Sequence, residues 1–328
     1  MDIFDIFLQN ILSPPILFFA LGIFAGFLKS DLNVPDQISH YLSIYLMMAI
    51  GFKGGVAIAE TAKINGQVLA TILAGVATGF TQPFISYALL KLTTKLDNVT
   101  AAAVAAHYGS ISMVTFVTAI SFLNFHEIYY AGYIVAVLAL MEAPAILTGL
   151  FLAHITEPQT IEKTTKVMPI FKREIFTNGA ILLLMGSFVV GWITGTPGMS
   201  KMHGFFVEPF HGILAFFLLD MGLSVSRQMH HLKEFTLKLA LFGIYMPIIG
   251  ASFGLGLSWI IGLDVGTGFL FTVLIASASY IAVTAAMRLA LPQAKAGIYI
   301  PMTLAITFPF NIAFGIPLYF SLAQKILS

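Results

Sequence analysis

Long apolar stretches, separated by short polar segments, follow one another along the whole chain, and this pattern leaves few folds open to it. Each stretch approaches the roughly 20 mostly apolar residues that a helix needs to cross a bilayer. Charged residues make up only 9% of the chain, whereas a soluble domain carries about 25%. The sequence therefore predicts an all-α, polytopic membrane protein.

Ten such stretches can be counted, and we expect ten transmembrane helices. They are 11–28, 37–60, 64–90, 99–122, 127–153, 174–195, 205–226, 235–261, 266–288 and 296–324. The acidic start M-D-I-F-D-I-F lacks the basic region of a signal peptide, so the first stretch is expected to be a retained span. The longer polar segment 155–173 separates a first five-span repeat, 1–154, from a second, 174–328.

The distribution of Lys and Arg predicts the orientation, because cytoplasmic loops are enriched in these residues. With the N-terminus outside, the outside ends hold only Lys63, Lys201 and Lys325. The inside loops then hold Lys29, Lys91, Lys95, Lys163, Lys166, Lys172, Arg173, Arg227, Lys233, Lys238, Arg288 and Lys295. We therefore expect both termini outside and the 155–173 linker in the cytoplasm.

Five spans in each half place the two halves in the membrane with opposite orientation, as in an inverted repeat. The fourth span contains S-I-S-M-V-T and the ninth S-Y-I-A-V-T. This similarity aligns Ser110 with Ser279 and Thr115 with Thr284. The sequence predicts two inverted five-helix repeats.

The same two segments predict broken helices at spans 4 and 9, because small and hydroxylated residues are concentrated there. A helix broken at Gly109, or near Ala278, would expose free N–H groups and the positive end of a helix dipole, which attract an anion. Carbonyl groups and hydroxyls nearby, including Thr115 and Thr284, suit a small hard cation such as Na⁺. Close packing of small residues between helices is the alternative interpretation.

Ionisable groups inside spans need a reason, since each costs about 2.5–3.5 kcal/mol on insertion scales. Lys53 and Asp220 lie in spans that the repeat relates, and could form a structural or a gating ion pair. Glu142 is a candidate for cation or proton coupling. Asn311 is either a Na⁺ ligand or a packing hydrogen bond. His107 either titrates near neutrality or is a neutral histidine bonded to a backbone carbonyl.

Several classes of function are disfavoured. The chain has no cysteine, so thiolate catalysis and Cys-ligated metals are excluded. Its net charge of +1 gives no general attraction to nucleic acid. The motifs H-E-x-x-H, G-x-S-x-G and the P-loop do not occur. We expect no enzyme, no cofactor, no transition metal and no nucleic-acid partner.

Five stretches give the sequence a more specific likeness. They are N-I-L-S-P-P-I-L-F-F-A-L-G, Y-L-M-M-A-I-G-F-K-G-G, A-A-H-Y-G-S-I-S-M-V-T-F, A-S-A-S-Y-I-A-V-T-A-A-M-R and F-N-I-A-F-G-I-P-L-Y. Over essentially the whole chain, the sequence resembles the cyanobacterial sodium-dependent bicarbonate transporter family.

This resemblance implies a homotrimer in the plasma (inner) membrane that imports bicarbonate with Na⁺ as coupling ion, for inorganic carbon accumulation. It implies a core of spans 3–5 and 8–10 that moves, elevator-like, against a gate or scaffold of spans 1, 2, 6 and 7. A trimeric PII-like regulatory protein is expected on the cytoplasmic face.

The resemblance also places the ions. It implies that bicarbonate binds at Gly109, Ser110, Ile111, Ser112, Ser277, Ala278, Ser279 and Tyr280. The candidates for sodium binding or coupling are Thr115, Glu142, Thr284 and Asn311.

The chain departs from the family pattern in its central loop, because members usually carry a longer hydrophilic segment than 155–173. Regulation through this loop is therefore in doubt, whereas transport is not. A sodium-coupled carrier of another small organic anion, and a membrane receptor that docks a cytoplasmic regulator, remain as alternative functions.

Overall fold

The computed structural model describes residues 3–60, 66–157, 179–229, 235–280 and 282–328. All regular secondary structure in these ranges is helical. The first twelve helices are α1 (Ile3–Ile11), α2 (Pro14–Phe27), α3 (Asp36–Glu60), α4 (Gly66–Thr93), α5 (Asn98–Gly109), α6 (Met113–Phe125), α7 (Ile134–Thr156), α8 (Gly179–Phe206), α9 (Phe210–Met229), α10 (Leu237–Ile261), α11 (Val265–Ala276) and α12 (Ala282–Ala290).

The last span, Ala296–Leu327, alternates between α-helical and π-helical turns. Its parts are α13 (Ala296–Pro301), a π-helical stretch Met302–Thr307, α14 (Phe308–Phe310), a second π-helical stretch Asn311–Gly315 and α15 (Ile316–Leu327). Such π-helical turns are uncommon and are frequently found at functional sites.

Eight helical segments of the described chain are long and apolar enough to cross a membrane. A ninth is obtained if α1 and α2, which meet at 61°, are counted as one span. The predicted ninth span is divided into α11 and α12, and the 12-residue α11 is too short to cross a bilayer alone. A multi-pass, all-helical membrane protein is thus confirmed, while the count of ten spans and the inverted repeat stay predictions. Most of the 155–173 linker lies outside the described residues, and the orientation also stays a prediction.

The sixth span was predicted to end at residue 195, and the chain leaves the helical conformation there, since Gly195 adopts a φ of 53° and a ψ of −152°. Helical structure resumes directly after this sharp kink, so that α8 extends through the segment T-G-T-P-G to Phe206. Pro197 follows two residues later, where the new helical turn starts and the missing N–H of proline does no harm.

Two pairs of helices make the closest contacts, through glycines that bring backbones together. Between α2 and α9, a Cβ added to Gly22 would lie 2.1 Å from the Leu219 carbonyl oxygen. Between α3 and α8, a Cβ on Gly191 would lie 2.1 Å from the Phe52 carbonyl oxygen. Small residues permit such packing in membrane proteins. These pairings, span 1 with span 7 and span 2 with span 6, are the ones that the predicted inverted repeat would exchange.

A second group of helices surrounds α5 and α11. Helices α4, α5 and α7 pack against one another, and α11 packs against α10 and α15. Every residue from Val99 to Gly109 is buried, and so is every residue from Gly266 to Ala276. The helices that precede the two serine-rich segments therefore lie in the interior of the protein and do not face lipid.

The short α1 packs differently from the helix that follows it. The Asn10 side-chain amide donates a hydrogen bond of 3.0 Å to the Ile312 carbonyl oxygen in the last span. The Phe7 ring packs against Phe314 with centroids 6.0 Å apart. Thus α1 is attached to the last span, whereas α2 packs mainly against α9 and meets the last span through the rings of Phe19 and Phe308, with centroids 5.4 Å apart.

The glycine contacts generate a prediction for stability. Gly222→Ala on α9 should destabilise the protein by about 1–3 kcal/mol, because the new methyl group would overlap the backbone of α2. A Cβ at Gly222 would lie only 2.2 Å from the Phe19 carbonyl oxygen. The measurement is the melting temperature of the detergent-solubilised protein, followed by fluorescence-detected size exclusion.

The matched control is Gly212→Ala on the same helix, where no atom lies within 4 Å of an added Cβ. This variant should melt at or slightly above the wild-type temperature, because alanine is the better helix former. Equal melting temperatures for the two variants would contradict the packing argument.

Candidate functional site: two broken helices at one cavity

The chain leaves the helical conformation at both serine-rich segments. We define the first break as residues 110–112 and the second as residues 277–280. Ser110 has φ −99° and ψ 176°, and Ser277 has φ −96° and ψ 170°. Extended backbone at these positions takes N–H and C=O groups out of the helical ladder, so each must find another partner or a ligand.

The helices before the two breaks are built alike. Both α5 and α11 have 12 residues. Each begins after a capping aspartate, Asp97 or Asp264, and each ends at a serine, Ser110 or Ser277. The sequence similarity aligned Ser110 with Ser279. The capping residues instead align Ser110 with Ser277, a shift of two residues.

The two breaks are hydrogen-bonded to each other. The Ser112 backbone N–H donates to the Ser277 hydroxyl at 2.8 Å. The Ser279 backbone N–H donates to the His107 carbonyl oxygen at 2.9 Å. These bonds, which are far apart in sequence, bring the residues of the predicted anion site together at one point.

Ser110 stands out among the polar side chains of the site. It is 1% exposed, and its hydroxyl has no hydrogen-bond partner among the described residues. Burying a hydroxyl without a partner costs about 1–3 kcal/mol, which makes such a group a candidate for ligand binding. Close by, α6 begins at Met113, so the N–H groups of its first turn face the break.

Both breaks border one cavity of about 1,090 Å³. Ile111 and Ser112 line it from the first break, and Ser279 and Tyr280 line it from the second. Helices α3 and α8 form the opposite wall, which is largely apolar. The cavity therefore lies between the breaks and the glycine-packed pair α3 and α8.

Glu142 on α7 faces the same cavity. The residue is 8% exposed, and no described residue donates a hydrogen bond to its carboxyl group or forms an ion pair with it. A buried charge without a partner is costly. Glu142 is thus an acidic group that can neutralise a cation entering the cavity.

The two threonines of the predicted sodium site lie beside the breaks. The Thr115 hydroxyl donates to the Ser112 hydroxyl at 2.9 Å. The Thr284 hydroxyl oxygen lies 2.9 Å from the Tyr280 carbonyl oxygen and 3.1 Å from His107 Nε2. Since a hydroxyl has one hydrogen, Thr284 can donate to only one of these two atoms.

Asn311 makes the hydrogen bonds of a packing residue. Its amide nitrogen donates to the Ala276 carbonyl oxygen at 3.0 Å, and its amide oxygen accepts from the Tyr319 hydroxyl at 2.9 Å. The side chain thus holds the end of α11, at the start of the second π-helical stretch. Of the two interpretations that the sequence left open, these contacts favour packing.

Lys53 and Asp220 do not form the predicted ion pair. The Lys53 ammonium lies over the Phe210 ring, 4.1 Å from its centroid, and Asp220 accepts a hydrogen bond from the Ser39 hydroxyl. Phe210 and Asp220 are ten residues apart on α9, which is about 15 Å at the 1.5 Å rise of a helix. Lys53 therefore meets the beginning of α9, too far from the carboxylate.

The sequence analysis missed Gln82 and Pro83 on α4. The buried Gln82 side chain donates to the Ile275 carbonyl oxygen at 2.8 Å and so supports the end of α11. A Cβ added to Gly109 would lie 2.3 Å from Pro83 Cγ, so the glycine lets α4 approach the first break. The dipeptide Q-P inside an apolar span was the signal that could have found them.

Comparison with known proteins assigns the family. A search of curated sequences found no match. A family model described as the Na⁺-dependent bicarbonate transporter superfamily matches residues 14–324, which is nearly the whole chain. With two broken, buried helices facing a common cavity, the chain therefore belongs to the Na⁺-dependent bicarbonate transporter superfamily.

Proposed function

We propose that this protein is a sodium-dependent bicarbonate symporter that imports HCO₃⁻ across the plasma (inner) membrane for inorganic carbon accumulation. The observation that carries the proposal is the pair of breaks, hydrogen-bonded to each other and open to one cavity. The family description names the two ions, Na⁺ and bicarbonate, and the breaks and the cavity contain groups that could bind each of them.

The anion would bind between the breaks. Bicarbonate presents oxygen atoms that accept hydrogen bonds, and the unpartnered Ser110 hydroxyl can donate one. The helices that follow the breaks direct N–H groups and positive dipole ends toward the same place. We assign the bicarbonate site to Gly109, Ser110, Ile111, Ser112, Ser277, Ala278, Ser279 and Tyr280.

Na⁺ would bind at the opposite partial charges. Helices α5 and α11 end at the breaks, and their last carbonyl groups carry the negative end of the helix dipole. Thr115 and Thr284 add hydroxyl oxygens, and Glu142 adds a charge in the adjoining cavity. Asn311 would act indirectly, by holding the Ala276 carbonyl. Because opposite charges lie side by side, each ion would raise the affinity for the other by the same factor.

Transport would use the division of the helices into two groups. The core would comprise spans 3–5 and 8–10, which contain both breaks, and the scaffold spans 1, 2, 6 and 7, with their glycine contacts. The cavity lies between members of these groups. An elevator-like displacement of the core along the scaffold would expose the site alternately to the two sides.

The family resemblance also supports a homotrimer and a trimeric PII-like regulator on the cytoplasmic face. Both remain proposals, as does the orientation with both termini outside. The short central linker reduces what a regulator could contact there.

A second candidate function is sodium-coupled transport of another small organic anion. The cavity of about 1,090 Å³, with its largely apolar wall, is far larger than bicarbonate requires. Stronger competition by small carboxylates than by unlabelled bicarbonate, in the uptake assay below, would favour this candidate.

Ser110→Ala should raise the KM for bicarbonate at least about tenfold, because a hydrogen bond to a charged group contributes about 1.5–3 kcal/mol. The measurement is Na⁺-dependent uptake of labelled bicarbonate into proteoliposomes. Ser86→Ala is the matched control, since Ser86 on α4 is also a buried hydroxyl without a described partner but belongs to neither break. Unchanged KM in Ser110→Ala would contradict the site, and absence of Na⁺-dependent uptake by the wild type would contradict the function.

Glu142→Gln should raise the Na⁺ concentration for half-maximal uptake about tenfold or more, since it removes the negative charge that faces the cavity. The same proteoliposomes give this value from a Na⁺ titration at saturating bicarbonate. Glu208→Gln is the control, because the Glu208 side chain is 70% exposed and distant from the breaks in sequence. If Glu142→Gln retained the wild-type Na⁺ dependence, Glu142 would have no part in coupling.

A further inference from the structure

His107, on the first broken helix, contacts both the second break and the helix that follows it. It lies in the last turn of α5 and is 0% exposed. Its carbonyl oxygen accepts the Ser279 backbone N–H, and its imidazole Nε2 lies 3.1 Å from the Thr284 hydroxyl oxygen. One residue of the first broken helix therefore contacts the second break, at Ser279, and the first turn of the helix that follows it, at Thr284.

Hydrogen-bond chemistry fixes the tautomer of this imidazole. Nδ1 lies 2.6 Å from the Ala103 carbonyl oxygen, and because a carbonyl only accepts, Nδ1 must carry a hydrogen. No described carboxylate forms an ion pair with His107, and burying a charged imidazole without one is costly. The ring is therefore neutral, and Nε2 is an acceptor. Stacking on Tyr299, with centroids 4.6 Å apart, holds the plane of the ring.

This tautomer gives the Thr284 hydrogen two acceptors. The hydroxyl can donate to the Tyr280 carbonyl oxygen at 2.9 Å or to His107 Nε2 at 3.1 Å. When the hydrogen lies on Nε2, it is not available to the Tyr280 carbonyl oxygen. The Thr284 and Tyr280 oxygens are left as two acceptors 2.9 Å apart. Two oxygen acceptors at this separation repel each other, unless a cation lies against both of them.

We propose that His107 is a positioning residue for Na⁺: by accepting the Thr284 hydrogen, it makes the Thr284 hydroxyl and the Tyr280 carbonyl available together as cation ligands. The proposal rests on the proposed function and deepens it, since it assigns a ligand pair and the group that orients it. Without this acceptor, Thr284 would donate to Tyr280, and its hydrogen would lie between the two oxygens, where a cation would otherwise contact both.

The test compares two substitutions of similar size. Gln places its amide oxygen near the position of His Nε2, so His107→Gln can still accept from Thr284. Asn is shorter and reaches only the position of Nδ1, so His107→Asn keeps the bond to Ala103 and loses the one to Thr284. Na⁺ binding is measured on purified protein, without transport, as the Na⁺-dependent rise in melting temperature.

His107→Gln should bind Na⁺ within about threefold of the wild type, and His107→Asn about tenfold or more weakly. Thr284→Val should also be weakened, and His107→Asn combined with Thr284→Val should be no weaker than Thr284→Val alone, because both changes remove one interaction. Wild-type Na⁺ affinity in His107→Asn, or effects that multiply in the double variant, would overturn the proposal.

If His107→Asn does not fold, a second comparison tests the proposal. Thr284→Ser keeps the hydroxyl and should bind Na⁺ about tenfold or more tightly than Thr284→Val. Equal affinities would overturn the proposal. Failure of the proposed function would be distinguishable, because the wild type would then show Na⁺-dependent stabilisation but no Na⁺-dependent bicarbonate uptake.

Discussion

Backbone groups that lose their helical partners inside a bilayer must be bonded by the protein itself, and this constraint organises the molecule. Interrupting α5 and α11 frees polar groups at residues 110–112 and 277–280, and neither segment could face lipid. The structure places them in the interior and pairs them, with the Ser112 N–H on the Ser277 hydroxyl and the Ser279 N–H on the His107 carbonyl. The Ser110 hydroxyl remains without a partner among the described residues, in a break that borders the cavity.

The surrounding helices can be understood as support for these two segments. Gln82 and Asn311 each donate a side-chain amide hydrogen to a carbonyl near the end of α11. Gln82 precedes α11 in the sequence, and Asn311 follows it. Gly109 lets α4 approach the first break. Side-chain hydrogen bonds therefore hold the end of α11 at the second break, and close contact with α4 holds the first break. The geometry of the two breaks does not depend on bulk apolar packing alone.

Much of this arrangement could be predicted from the sequence, because two of its physical causes are local. Apolar length predicts helices that cross a membrane, and serines beside glycine predict interrupted ones. The helix that resumes after Gly195 could not be predicted in this way, since T-G-T-P-G suits a loop as well as a bent helix. Nor could the partners of Lys53, Asp220 and Gln82, which depend on how packed helices are positioned along each other.

The different attachments of α1 and α2 have a mechanical consequence. Only Leu12 and Ser13 connect the helix bound to the last span with the helix bound to α9. The ends that they join, Ile11 and Pro14, are three residues apart and can be separated by at most about 11 Å. This short connection therefore limits how far α1 and α2 can separate. At this end of the molecule, the last span can move further from α9 only if the contacts of α1 with the last span are broken first.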